Sequence, residues 1–207
     1  QFINPFHIDP KYSEWLSPTR VKNEFIEAWK SHYPTLGVQQ INHLRKVIEA
    51  AFESAGIHAD PSTWAKSIDF SDVMEAFERT ETRAAVRDRL EAYFARLAES
   101  QVFHGPVGVP IEQLLDQSYR LDMRQLDDET RNVVADVVLR RVFLMAQGLA
   151  PIPSGTTGWD KFRLYVVIDE AQILMRGARD GRASLAKYAS EARKFGIGFI
   201  LSTQLRD

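Results

Sequence analysis

The sequence predicts an α/β protein in which a partial parallel sheet carries a mainly helical insertion. Three observations lead there. Leu164-Tyr-Val-Val-Ile168 is a short apolar run that ends abruptly in Asp169 and Glu170. A run this rich in Val and Ile, bounded by polar residues, has the form of a strand buried on both faces of a parallel sheet. Ile197-Gly-Phe-Ile-Leu201 is a second apolar run, leading into Ser202, Thr203 and Gln204. Between about residues 13 and 100, in contrast, apolar residues recur at helical spacing throughout.

The 207 residues are 44% hydrophobic and 26% charged, with no cysteine. That composition suits a soluble globular protein with enough chain for one large core or two small ones. It excludes a disulfide framework and a thiolate metal site, and it fits a cytoplasmic location. No apolar stretch reaches membrane-spanning length, and no secretory signal opens the chain. His7, His32, His43, His58 and His104 are scattered without ligand spacing and read as structural or surface residues. The net charge of -2 hides an asymmetry. Residues 161–207 hold nine Lys/Arg and five Asp/Glu, a local +4, which leaves 17 basic and 23 acidic residues, a net -6, for the rest. A basic segment of this kind could serve a nucleotide, DNA or a subunit interface.

In chain order, Gln1-Phe-Ile-Asn-Pro-Phe6 reads as the end of a strand or a loop. Ser17-Pro18 is a helix start, a cap followed by proline at the first helical position. Val21, Phe25, Ala28 and Trp29 then give that helix one buried face. A second helix follows Gly37, with Ile41, Leu44, Ile48, Ala51, Phe52 and Ala55 in period and Gly56 as its stop. Trp15, Trp29 and Trp64 could stack on bases, but at these spacings they read as helix–helix core. A turn at Asp60-Pro61 precedes a short helix with Val73, Met74 and Phe77 as its apolar positions. The helix from Glu81 to Ser100 buries Val86, Leu90, Tyr93, Phe94 and Leu97. Its Arg83, Arg87, Arg89 and Arg96 alternate with acids, as on a salt-bridged solvent face. Gly105-Pro-Val-Gly-Val-Pro110 is a compact break.

Beyond the break, Ile111–Leu115 reads as a short helix and Ser118–Met123 as a strand. Asp127-Asp-Glu-Thr130 supplies capping carboxylates for a long helix. Val133, Val134, Val137, Val138, Val142 and Phe143 make that helix apolar over a wide arc, as if laid on a sheet. Pro151–Asp160 is a Gly/Pro/Thr-rich loop into the first apolar run. A helix spans Arg182–Arg193, with Leu185, Ala189 and Ala192 in period and Gly196 placed to end it.

Ligands sit at the carboxyl ends of strands in open α/β sheets. Asp169 and Glu170 project there, at a position where burying charge is unfavourable. This is the form of a Walker B strand, whose Asp holds Mg2+ through water and whose Glu orients the attacking water. The alternative is a strand ending in a helix-capping acid pair.

The order strand-Asp169-Glu170, helix, Arg193-Lys-Phe-Gly196, strand-Ser202-Thr-Gln204 resembles the HerA/FtsK-like branch of the P-loop ATPases. That branch comprises the HerA-type and FtsK-type DNA translocases and the coupling ATPases of conjugative DNA transfer. The Asn-Pro-Phe6 segment and the strand and long helix before residue 164 are similar in kind. The resemblance implies a RecA-like P-loop NTPase parallel sheet, present in part. It divides the chain into residues 1–12 as a strand or loop of the ATPase core, 13–104 as a helical insertion, and 105–207 as core with Walker B and sensor strand.

It further implies a ring-forming ATPase or helicase, in kind a hexamer, acting on double-stranded DNA with ATP and Mg2+ at subunit interfaces. A nuclease or other effector protein is an implied partner. In site terms, Asp169 supports Mg2+, Glu170 polarises water, Gln204 senses the γ-phosphate, and Arg193 reaches the neighbouring subunit's nucleotide. An Arg suits that last task because its planar fork neutralises charge spreading over phosphoryl oxygens. Arg193 reads equally as a solvated cation favoured by a helix C-terminus.

The sequence departs from that family at one essential point. No Gly-Lys pair occurs anywhere, so the Gly-x-x-x-x-Gly-Lys-Ser/Thr loop that cradles phosphates is missing. Gly155-Thr-Thr-Gly158 is followed by Trp159 and leads into a strand, so it is no substitute. The expectation is therefore a portion of a larger ATPase that does not hydrolyse ATP by itself. A non-catalytic interaction domain and a protein-secretion ATPase are the competing readings.

Overall fold

The structure is a computed structural model that describes residues 3–8, 16–103, 109–110, 117–172, 188 and 191–203. Trp15, the 111–115 helix, Gln204 and most of the 182–193 helix lie outside these. Element order is β1 (Ile3–Asn4), α1 (Pro18–His32), α2 (Val38–Ser54), α3 (Phe70–Arg79), α4 (Ala84–Ser100), β2 (Val109–Pro110), α5 (Asp128–Gly148), β3 (Leu164–Ile168) and β4 (Ile197–Leu201). Among the described residues, no helix is long and apolar enough to cross a membrane.

Local chemistry sets the helix ends. Ser17 is extended, accepts from the Arg20 N–H and is followed by proline, which starts α1. Gly37 starts α2, where the Gln40 side chain accepts its N–H at 3.1 Å. Gly56, in the left-handed region at φ 71°, ends it. Asp69 caps α3 by accepting from the Ser71 and Asp72 N–H groups, while Asp72 accepts from the Asp69 N–H in return. Asp127 caps α5 through the N–H groups of Glu129 and Thr130 and the Thr130 hydroxyl. Burial pushes the Asp127 carboxyl up, but its bonds from Thr130 outweigh that and hold it below the usual carboxylate range.

The helices α1–α4 close round an aromatic core. Phe25, Trp29, Phe70, Phe77, Phe94 and Phe103 are buried and meet ring to ring, with Trp29–Phe94 and Phe77–Phe94 centroids at 4.9 and 4.8 Å. Tilted and edge-on pairs like these add to the stabilisation from burial alone. Trp29 and Trp64 are core residues, as their spacing predicts. Burial pushes the Tyr33 phenol up to about 12. α4 begins three residues later than its sequence pattern suggests, at Ala84. Its arginines also depart from an intrahelical solvent face. Arg87 pairs with Glu78 of α3, Arg96 pairs with Glu129 of α5, and Arg89 donates to the Thr35 carbonyl at 3.1 Å.

α5 is the element the rest is built against. Fourteen of its 21 residues are buried, so it is covered on nearly all sides. One side packs on α1, and Phe143 on another side meets Tyr188 and Phe195 at 5.0 and 5.9 Å. Buried Asp136 accepts from Arg140 one turn on at 3.0 Å and lies 3.3 Å from His32 Nε2 at the end of α1. Arg140 also donates to the Ser31 hydroxyl and faces Glu24 at 3.7 Å. The buried Arg141 donates to the Pro5 carbonyl at 2.6 Å, tying the N-terminal segment to α5.

Strand pairing is parallel, but in two separate pairs among the described residues, β1 with β2 and β3 with β4. Helices α1–α4 lie in sequence between the two members of the first pair. Two sequence expectations need correction. Ser118–Met123 is not a strand: it is mostly exposed and finds no ladder partner among the described residues, while the Arg124 side chain donates to Asp122 at its end. The run Leu164–Ile168 is a strand, but it is not buried on both faces. Leu164, Val166 and Ile168 pack on the core, whereas Tyr165 and Val167 are exposed, because no described element covers the outer face.

Candidate functional site

The parallel register, Leu164 opposite Ile197 through Ile168 opposite Leu201, brings the carboxyl ends of β3 and β4 side by side. The pairing continues past the strands. Ser202 N–H donates to the Ile168 carbonyl and Ala171 N–H to the Ser202 carbonyl, each at 2.9 Å. The chain between these two bonds, Asp169-Glu170, is thereby forced to bulge outward. Asp169 Oδ1 accepts the Glu170 N–H at 3.0 Å, and Glu170 takes φ 54°. A left-handed backbone at a non-glycine residue costs on the order of 1 kcal/mol and collects at functional sites. Ala171 is fully buried behind the bulge and anchors it.

Both carboxylates are exposed, and neither has a cationic partner among the described residues. Among the described residues, Asp169 accepts from the next residue's N–H. Magnesium keeps most of its water and takes one or two carboxylates together with phosphate oxygens. An exposed carboxylate without a cationic partner among the described residues, such as Asp169, fits that donor set. No group of three or more ligating side chains occurs among the described residues, so Asp169 would meet such an ion mainly through water. The phosphate side has no counterpart in these 207 residues, which contain no Gly-Lys pair. Gly155 and Gly158 are turn glycines with positive φ and open space around them.

Of the four residues singled out from the sequence, two share this site. Asp169 and Glu170 stand at the carboxyl end of β3. Gln204 lies outside the described residues, three positions beyond β4. Arg193 sits at the opposite end of the strand pair, in the single helical turn Arg193–Phe195 that leads into β4. Five strand residues at about 3.3 Å each separate it from the acid pair. Its position is well fixed: Ala192 is fully buried, Lys194 accepts the Ile152 N–H through its carbonyl, and Gly196 turns the chain at φ 75°.

Sequence reasoning missed the bulge stitched by Ser202, for which a single sequence carries no signal. It also missed the Asp136–Arg140 pair inside α5, which was legible as an acid and a base one helical turn apart.

The class defined by this fold and site is an α/β protein with a helical lobe and an acid pair at a parallel strand end. In fold, the chain is similar to the solved structure of VirB4 from Thermoanaerobacter pseudethanolicus. The TM-score is 0.62 over 97% of this chain and 69% of that one, at 17% sequence identity. At that identity the likeness establishes a shared fold. No protein-family model matches the chain, and no curated protein matches it.

Proposed function

We propose that this chain forms part of an ATP-hydrolysing, translocating motor of the P-loop type. The observation that carries the reading is the bulged acid pair, exposed and uncommitted, where two parallel strands end together. Mg2+, when bound, neutralises charge on the phosphate oxygens. Asp169 holds the ion's water shell. Glu170, beside it on the same bulge, accepts a hydrogen bond from water and orients it for attack. Gln204, just past β4, reaches for the γ-phosphate. Arg193, at the far end of the strand pair, serves a nucleotide bound by a neighbouring subunit. Its distance from its own subunit's acid pair, about five strand residues, is compatible with that reading. The reading requires a phosphate cradle that these 207 residues, without a Gly-Lys pair, do not supply.

The cargo has two readings. The family resemblance in the motifs favours a hexameric ring of the HerA/FtsK type that moves double-stranded DNA, held mainly by its phosphates. The likeness in fold to VirB4, a type IV secretion P-loop ATPase, favours a secretion motor. ATP turnover by the full-length protein, measured with and without duplex DNA, separates them. Stimulation by duplex supports the first, and indifference to duplex supports the second. Mixing Arg193→Ala subunits with Glu170→Gln subunits tests the trans role. Recovery of turnover in the mixture is expected, and its absence removes Arg193 from that role.

A further inference from the structure

Arg140 stands where three parts of the molecule meet. It lies on α5, and its side chain is only 13% exposed. On its own helix, Nε donates to Asp136 one turn back at 3.0 Å, which fixes the plane of the guanidinium fork. Its two terminal nitrogens reach α1. Nη2 donates to the Ser31 hydroxyl at 3.1 Å, and Nη1 faces Glu24, two turns earlier on α1, at 3.7 Å. Ser31 itself donates to the Glu27 carbonyl at 2.8 Å, so toward Arg140 its hydroxyl is the acceptor. On a third side, the guanidinium carbon lies over the Tyr188 ring, 6.0 Å from its centroid.

Tyr188 belongs to the chain that leads from the acid pair to β4. It is buried, and its ring packs at 5.0 Å on Phe143, about one turn beyond Arg140 on α5. The same Phe143 ring meets Phe195 edge-on at 5.9 Å. Arg193 lies between these two anchored rings, five residues after Tyr188 and two before Phe195, beside the fully buried Ala192. How Tyr188 and Phe195 sit on α5 therefore sets where Arg193 stands. Exchanging buried ion pairs for apolar residues is often neutral or stabilising. The charges at this joint thus add direction to the contact more than strength.

We propose that Arg140 is a positioning residue that couples the helical lobe to the Tyr188–Phe195 segment, so that the seating of α1 on α5 sets the placement of Arg193. With α1 seated, Ser31 and Glu24 hold the outer nitrogens, Asp136 holds Nε, and the fork is kept over Tyr188. When α1 shifts, the fork loses its two partners on that helix and is free to turn off the ring. The lobe thereby regulates hydrolysis, a consequence that rests on the role proposed above for Arg193. The coupling itself needs only the contacts described here.

The test is hydrogen exchange of the full-length protein without nucleotide, wild type beside a Ser31→Ala, Glu24→Gln double variant. Both changes lie on α1 and touch only the lobe's side of the joint. Ser31 is exposed and Glu24 half-buried, so the variant should fold, which a thermal scan checks. Amides of residues 191–196 should exchange roughly twofold faster or more, while those of α3 keep their rates. A merely structural role would loosen the end of α1 and leave 191–196 unmoved. Arg140→Lys, which keeps the charge and loses the fork, should also speed exchange there. Adding the α1 changes to it should then give less than the sum of the separate effects. Unchanged exchange at 191–196 in the folded double variant overturns the proposal. Full additivity with Arg140→Lys also overturns it, since the effect would then bypass Arg140. Turnover is followed on the same proteins, where a lower kcat at unchanged KM for ATP is expected of the double variant. A wild type without turnover would remove the motor reading, whereas the coupling is judged by exchange alone.

Discussion

The helical lobe and the β3–β4 pair treat the same kinds of residue in opposite ways. In α1–α4 aromatic side chains are buried ring against ring, and Trp29, Phe70, Phe77 and Phe94 are fully enclosed. In the strand pair Trp159, Tyr165, Val167 and Ile200 stand exposed, two carboxylates lack cationic partners among the described residues, and a glutamate holds a left-handed backbone. The lobe encloses its aromatic side chains, whereas the strand pair leaves Tyr165, Val167 and Ile200 open on one face. Buried contacts are concentrated in the lobe and α5, and exposed apolar and acidic groups in the pair.

The contrast can be broken by substitution. Phe94→Ala removes a ring that touches Trp29, Phe70 and Phe77, and it should cost about 3–5 kcal/mol in chemical denaturation. A cost near zero would mean that the lobe is not a packed core. Asp136→Ala leaves Arg140 and His32 facing each other where α1 meets α5 and should cost about 3 kcal/mol. Restoration of stability by a second change, Arg140→Met, would show that the buried cation, left with Glu24 as its acidic partner, is the cause. Asp127→Ala removes the α5 cap and should cost about 1 kcal/mol, read as a lower urea midpoint.

His43 adds a pH dependence that belongs to the lobe alone. Burial, with Arg87 and Lys46 nearby, lowers its pKa from 6.5, so the folded lobe holds it neutral. The unfolded chain binds the proton more readily. Stability is therefore complete above about pH 6.5 and declines as pH falls from there toward the folded value. His43→Leu should flatten that decline in denaturation curves taken across the range, and an unchanged decline would shift the effect to other groups. Val167→Ser, on the open face of β3, should change stability by less than about 0.5 kcal/mol. A large loss would show that this face is covered in the folded protein.

Legibility in the sequence divided along the same line. The lobe was readable almost residue by residue, because helix caps and apolar period are local signals: Ser17-Pro18, Gly37, Gly56 and the Val21/Phe25/Trp29 face all stand where the pattern puts them. The position of β3 was readable from its five apolar residues, and Asp169 and Glu170 from their place at its end. Its exposure was not, since apolar residues alone do not say whether a neighbour covers them. Ser118–Met123 alternates like a strand but has no ladder partner among the described residues. The bulge at Glu170 depends on Ser202, more than thirty residues away, so no local pattern announces it.

The most direct test of the account is ATP turnover by the full-length protein beside its Glu170→Gln variant, with Mg–ATP binding measured in both. The account predicts that the variant binds nucleotide as the wild type does and loses turnover by about a hundredfold or more. Wild-type turnover in a folded Glu170→Gln protein would contradict it, and the bulged acid pair would then be no more than a strand end.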